Sequence, residues 1–136
     1  MRLLFNTPPL LCRLADDARL GPRARDLIED PGNDVLVSVV SLWEIVVKVR
    51  VGKLEADIRK IADAVEREGF ALLDISTAHL RTLAELPMHH RDPFDHLLIA
   101  QALAEDTTFL SEDRNAARYQ IRLLTYSETP SSPALE

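Results

Sequence analysis

The chain has 136 residues, 46% hydrophobic and 28% charged, with 22 acidic against 16 basic side chains and a formal net charge of -6. That length fits one domain able to bury about two thirds of the surface its unfolded form exposes. The ordinary globular balance, with no repeat or low-complexity tract, excludes a solenoid, a fibre or wholesale disorder. The acidic excess excludes a surface that grips nucleic acid everywhere, since phosphate affinity comes from lysine and arginine. The basic residues form two local groups, Arg13, Arg19, Arg23 and Arg25, then Lys48, Arg50 and Lys53. Their ordinary reading is a solvated helix face, with RNA contact as the alternative. Cys12 is the sole cysteine, so neither an intramolecular disulfide nor a cysteine zinc site is available, which suits a reducing cytoplasm. Its simplest role is a small apolar core residue. The amino-terminal apolar run is too short for a signal peptide, and no window approaches the roughly 20 apolar residues of a membrane span. A soluble, cytoplasmic protein is expected.

Short apolar runs alternate with helical patterns. Residues 3–6 predict a strand, and Pro8 or Pro9 opens the next helix, because a first-turn proline gives up no intrahelical hydrogen bond. Residues 22–30 predict a helix closed by Pro31-Gly32-Asn33, and the valine-rich run 35–39 a buried strand. Residues 41–51 predict an apolar helix stopped by Gly52, and 58–68 another stopped by Gly69. A strand over 71–75 precedes a helix capped by Thr77 and running to Leu86, and Asp92-Pro93 announces a helix through Ala104. Phe109 and Leu110 mark a short strand, 114–119 a short helix and 121–124 the closing strand. This alternation implies an α/β fold, a mainly parallel sheet with helices on both faces, whose sites form at the carboxyl ends of strands. One domain over residues 1–125 is expected, followed by a disordered tail over 126–136, rich in serine and proline.

Four residues are candidates for one cation site: Asn6, Glu44, Asp95 and Asp113. Oxygen-rich clusters bind Mg²⁺ or Mn²⁺, ions that activate water and stabilise charge on a phosphate under attack. Asn6 closes the first strand and Asp113 follows the fourth, so the two face one crevice if those strands are neighbours. Taken singly, the simpler reading of Asp113 is an N-cap for a helix beginning at Arg114, and that of Asn6 a polar turn residue before Thr7-Pro8. Glu44 lies in a helix apolar over most of its circumference, where an unpaired carboxylate is costly to bury. Either it shares a narrow wet stripe with Ser41 and Lys48, pairing with Lys48 at i,i+4, or that stripe points into the crevice. Asp92-Pro93-Phe94-Asp95 fits a helix start, with Asp92 at the N-cap and Asp95 at N3, so capping and the helix dipole account for both carboxylates. Asp95 is the freer of the two to bind a metal. His89 and His90 precede this helix in a loop; adjacent histidines usually point apart, which argues against a zinc site.

Four segments together resemble the PIN-domain toxins of VapC type: Ser41-Leu42-Trp43-Glu44-Ile45, Gly52-Lys53-Leu54, the long run from His89 to Ala102, and Ser111-Glu112-Asp113-Arg114. The similarity spans residues 1–125. The resemblance implies a five-stranded parallel sheet flanked by helices and Mg²⁺-dependent endoribonuclease activity on structured RNA. It also implies a cytoplasmic homodimer held inactive by a cognate VapB-type antitoxin. The family's acidic quartet falls on Asn6, Glu44, Asp95 and Asp113, with Ser111, and secondarily Asp92, as auxiliary polar groups.

The departure is at position 6, where the family pattern has aspartate and this chain has Asn6; Pro8 and Pro9 also differ from the family's usual pair. An amide oxygen coordinates a hard cation but brings no charge, so weakened metal binding and activity are expected. Two other readings remain. One is a catalytically silent PIN fold that dimerises and captures antitoxin or RNA. The other is a phosphatase on an α/β sheet, against which stands the lack of a nucleophilic aspartate after the first strand and of a glycine-rich phosphate loop.

Overall fold

Period-two alternation along the strands sorts the core into two layers. In the computed structural model, which describes residues 1–127, the strands are β1 (Arg2–Phe5), β2 (Asp34–Ser38), β3 (Ala71–Leu73), β4 (Thr108–Leu110) and β5 (Arg122–Leu124). The helices are α1 (Thr7–Leu14), α2 (Pro22–Glu29), α3 (Val39–Arg50), α4 (Ile58–Arg67), α5 (Thr77–Glu85) and α6 (Pro93–Ala104). Leu3, Phe5, Val35, Val37 and Leu110 pack against Leu10 and Cys12 of α1, Ala24 and Ile28 of α2, and Val65 of α4. Leu4, Leu36 and Phe109 point the other way, onto Leu97, Leu98, Ile99 and Ala102 of α6 and Val40 of α3. Each fully buried side chain of this size contributes about 1.5–3 kcal/mol from burial. Cys12 lies in the first layer, as its composition-based reading requires.

All five strands are parallel, in the order β3-β2-β1-β4-β5. From β1 the chain steps outward through β2 to β3, then returns to the opposite side of β1 to lay down β4 and β5. The direction reverses between β1 and β4, and a crevice opens beyond the carboxyl ends of strands at such a point. Pairing of Phe5 with Leu110 sets Asn6 and Ser111 side by side at its floor.

Several boundaries differ from the sequence expectation, each for a local reason. Helix α3 starts at Val39 because Ser38, the last residue of β2, caps it, its Oγ accepting the Val40 N–H at 3.0 Å. A β-branched run alone cannot mark that change. Ser76, not Thr77, caps α5: Ser76 Oγ accepts the His79 N–H and His79 Nδ1 accepts the Ser76 N–H, so a histidine stands where a capping box usually has glutamate. The expected helix over 114–119 shrinks to a 3₁₀ turn at Ala116–Arg118. The glycine stops are as expected. Gly52 has φ +76°, and the Lys53 N–H reaches back to the Lys48 carbonyl at 2.8 Å, a Schellman closure of α3.

The tail expected over 126–136 begins bound. The Gly21 N–H donates to the Tyr126 carbonyl at 2.7 Å, and the Glu112 carboxylate accepts from the N–H groups of Tyr126 and Ser127. Residues 128–136 of that expectation lie outside the described residues. No helix among the described residues is long and apolar enough to cross a membrane.

A buried polar relay ties the sheet to α5 and α6. Ser38 Oγ donates to Gln101 Oε1 at 2.5 Å, Gln101 Nε2 lies 3.4 Å from His79 Nδ1, and His79 Nε2 is 2.8 Å from Glu105 Oε2. Because Nδ1 accepts from Ser76, Nε2 carries the proton given to Glu105. Arg2 closes the relay on the Glu105 carbonyl and carboxylate.

Candidate metal centre

The crevice is furnished from both sides of the strand reversal. Asn6 caps α1: its Oδ1 accepts the Thr7 N–H at 2.8 Å, while its Nδ2 donates to Ser111 Oγ at 3.0 Å. Ser111 Oγ also accepts the Asp113 N–H at 3.0 Å, and the Asp113 carboxylate accepts the Asn115 N–H at 2.9 Å. The expected roles are exchanged: Asn6, expected as a turn residue, is the N-cap of α1, whereas Asp113, expected as an N-cap, forms a turn with Asn115 because the helix after it shrinks to residues 116–118.

Glu44 reaches the crevice from the buried face of α3, only 3% exposed. Thr7 Oγ1 donates to its Oε1 at 2.7 Å and lies 2.9 Å from Ser41 Oγ, and Lys48 Nζ stands 2.5 Å from its Oε2. The i,i+4 pair and the crevice-facing stripe are thus one arrangement rather than alternatives. Asp92 caps α6 through the N–H groups of Phe94 and Asp95, which fixes the backbone from which the Asp95 carboxylate projects. Asn6, Glu44, Asp92, Asp95, Ser111 and Asp113 all line one cavity of about 310 Å³, together with Pro8, Lys48, Glu112 and Tyr126. A larger hollow of about 470 Å³ beside α5, lined by Arg81, Glu85, His89 and Tyr119 among others, contains no carboxylate cluster. The carboxylates gather in the smaller hollow, not the larger.

The charge is concentrated. Burial above all, then the nearby carboxylates of Asp92, Asp113 and Glu44, push Asp95 up to about 8, so without a cation it keeps its proton at neutral pH. A divalent cation relieves that repulsion, and the donor set fits one. His90 Nε2, an Asp95 carboxylate oxygen and an Asp113 carboxylate oxygen lie within 4.8 Å of one another. Oxygen-dominated sets of this size suit hard cations such as Mg²⁺ or Mn²⁺. Glu44 and Asn6 stand at the rim of this set, with their polar atoms already engaged by Thr7, Lys48 and Ser111.

Reading the sequence missed His90. The two adjacent histidines do point apart: His89 stacks edge-on against Tyr119 while His90 turns towards Asp95, 3.6 Å from its Oδ2. The available clue was position alone, two residues before the Asp92 cap, and it does not distinguish which of the pair turns inward.

The PIN domain profile matches residues 11–121 of the chain. Among solved structures, the fold is similar to that of a chain in a VapBC2 complex from Rickettsia felis bound to a promoter DNA fragment. That match has a TM-score of 0.70 and 15% identity, covering 93% of this chain and 100% of the other. A chain of DNA-bound VapBC from Salmonella typhimurium matches with a TM-score of 0.69 and 15% identity, covering 92% of this chain and 98% of the other. A domain of a functionally unknown protein from Methanocaldococcus jannaschii matches with a TM-score of 0.57 and 12% identity, covering 94% and 92%. Among curated proteins none matches the sequence significantly. With the profile spanning well over half of its length, this chain belongs to the PIN domain family.

Proposed function

We propose that the chain is a VapC-type toxin nuclease, a metal-dependent endoribonuclease whose activity is weakened by Asn6. The observation that carries this reading is the meeting of Asp95 from the first turn of α6 with Asp113 after β4, with Asp95 pushed up to about 8. Perturbed carboxylates gathered in a cleft are an expected sign of a working site. Its partners would be a VapB-type antitoxin, an RNA substrate and a second copy of itself, and its compartment the cytoplasm.

In this reading Asp95 and Asp113 hold Mg²⁺ or Mn²⁺, with Glu44 and the Asn6 carbonyl oxygen at the edge of the set. The bound cation supplies water activation and stabilises charge on the phosphodiester under attack. Asp92 holds the start of α6 so that Asp95 faces the crevice. Ser111 orients the Asp113 backbone, and Asn6 in turn positions Ser111. Lys48 neutralises Glu44 and places a cation beside the path of an incoming phosphate backbone. Asn6 contributes geometry but no charge, and loss of charge at a metal site should lower affinity or activity by at least 10- to 100-fold, the range seen for outer groups.

The test is cleavage of total RNA by the full chain with Mg²⁺ or Mn²⁺, repeated with chelator, with Asp113→Asn and on a chromogenic phosphate monoester. RNA cleavage that needs metal and Asp113, without monoester hydrolysis, is expected. Cleavage that persists in chelator sinks the reading. The silent binding module is favoured by one observation, that both polar atoms of Asn6 are committed to Thr7 and Ser111. RNA binding without cleavage, by both the chain and Asn6→Asp, would support it.

A further inference from the structure

We infer that the metal centre is a mixed imidazole–carboxylate site, with His90 Nε2 as a direct ligand beside Asp95 and Asp113, and that it selects Mn²⁺ over Mg²⁺. The inference rests on the cation-binding reading of this crevice and adds a ligand and a metal preference to it.

Three features of His90 carry it. Its Nε2 is buried and has no hydrogen-bond partner among the described residues, an arrangement that is costly unless some group meets that atom. The nearest charge is Asp95 Oδ2 at 3.6 Å, too far for a hydrogen bond. It is a good spacing for two ligands of one ion, since metal–ligand bonds of 2.0–2.1 Å put neighbouring octahedral ligands about 3 Å apart and opposite ones about 4.2 Å apart. Asp113 completes the triangle within 4.8 Å.

The other face of the ring is built to aim it. His90 Nδ1 lies 3.2 Å from Tyr119 Oη, which also accepts the His89 N–H at 3.2 Å. The His96 and Tyr119 rings meet His90 edge-on, with centroids 4.5 and 5.8 Å away. When Nδ1 donates its proton to Tyr119, the lone pair of Nε2 faces the carboxylates. A histidine anchored through one nitrogen and presenting the other is the usual form of a metal-ligating imidazole. The ring is 12% exposed, so it has little freedom to turn away.

The preference follows from the donor set. Mg²⁺ takes oxygen ligands and keeps much of its water, whereas an imidazole nitrogen adds more to the binding of first-row transition dications. Here the oxygens that would favour Mg²⁺ are partly withdrawn, because the Glu44 carboxylate is shared between Thr7 and Lys48. His90 makes up the count with nitrogen.

The experiment is Mn²⁺ titration into the full chain without RNA, read by pulsed electron paramagnetic resonance for coupling to ¹⁴N, beside Mg²⁺ affinities from competition. Nitrogen coupling is expected in the chain and in His96→Gln, and absent in His90→Gln. Mn²⁺ affinity should fall 10- to 100-fold in His90→Gln, while Mg²⁺ affinity moves less than threefold. Bound Mn²⁺ without nitrogen coupling, or coupling lost in His96→Gln and kept in His90→Gln, overturns the inference. Should His90→Gln not fold, the spectrum of the unaltered chain decides alone. The two readings separate cleanly. Nitrogen coupling in a chain that never cuts RNA leaves the mixed site standing and the nuclease reading fallen; RNA cleavage with an all-oxygen Mn²⁺ spectrum does the reverse.

Discussion

Lys48 Nζ lies 2.5 Å from Glu44 Oε2 one turn along α3, a half-exposed cation neutralising a carboxylate that is itself almost wholly buried. Removing one partner of such a pair strands the other charge away from water, which costs about 3–5 kcal/mol when burial is complete. Lys48 reaches solvent, so the cost falls below that range. Lys48→Met should destabilise the metal-free protein by about 2–3 kcal/mol in chemical denaturation, and millimolar Mn²⁺ should restore part of the loss by taking over the neutralising role. A loss below 0.5 kcal/mol would mean that Thr7 alone suffices for Glu44.

The pocket at position 6 accepts either an amide or a carboxylate. With Asn6 the amide donates to Ser111; with aspartate, the Ser111 hydroxyl would turn and donate instead, leaving the Thr7 and Asp113 N–H bonds intact. Asn6→Asp should therefore fold normally and raise RNA cleavage at least tenfold, roughly 1.4 kcal/mol of barrier. Asn6→Ala should be no more active than the present chain. Equal rates for the chain and Asn6→Asp at limiting Mg²⁺ would put the chemistry on Glu44, Asp95 and Asp113 alone.

Asp95 bears the strain of the cluster. Its folded-state pKa of about 8 exceeds that of an unfolded aspartate, so it subtracts stability as pH rises above about 4 and reaches its full penalty above 8. Asp95→Asn removes that penalty and, with it, a metal ligand. At pH 7.5 without metal the variant should be more stable by 1 kcal/mol or more, a margin that narrows as pH falls towards 4. The unaltered chain should gain thermal stability from Mn²⁺, and the variant should lose that gain. Melting curves at two pH values, with and without Mn²⁺, check both halves.

At the opposite end of the sheet the sign reverses. The hydrogen bond from His79, against the opposing effect of burial and with help from Arg2, holds Glu105 below the usual carboxylate range. Its contribution is complete above that range and is lost as pH falls through the depressed value. Glu105→Ala leaves buried His79 Nε2 without an acceptor and should cost about 1–3 kcal/mol at pH 7. The difference from the unaltered chain should shrink by pH 3.5. A pH-independent gap would show that packing, not the charged relay, is what Glu105 provides.

Helix α3 leaves Trp43 and Val51 more than half exposed, although Trp43 still rests edge-on against Phe94 at 4.7 Å. One sheet does not cover a helix this apolar. Light scattering at micromolar concentration should give about twice the 15.3 kDa chain mass, and Trp43→Arg should lower it towards one copy. A single-copy mass for the unaltered chain would leave α3 as an ordinary surface helix.

What the sequence made legible follows from periodicity and punctuation. Gly52 and Gly69 after their helices and Asp92-Pro93 before α6 each specify local backbone and are kept, while the valine run gives β2 but loses Val39 to α3. The adjacency of β1 and β4, which brings Asn6 to Ser111, was only conditional in the sequence, since pairing between distant strands leaves no local mark. His90 was passed over for the same reason. Its inward turn depends on Tyr119, twenty-nine positions away along a different turn of the chain, through a hydroxyl contact that no spacing rule encodes. The capping histidine of α5 was hidden because His79 does there what glutamate usually does.

The strand order also fixes when the centre can exist. Asn6 and Glu44 emerge early in synthesis, but Asp113 follows β4, near the far end of the chain, and β4 must dock against β1 before Ser111 can meet Asn6. Domains gain their structure as the chain leaves the ribosome, amino terminus first. A chain ending before β4 therefore carries Asn6, Glu44 and Asp95 but lacks Ser111 and Asp113, and with them half of the crevice. The four crevice positions meet only after a strand from late in the sequence has found the first one.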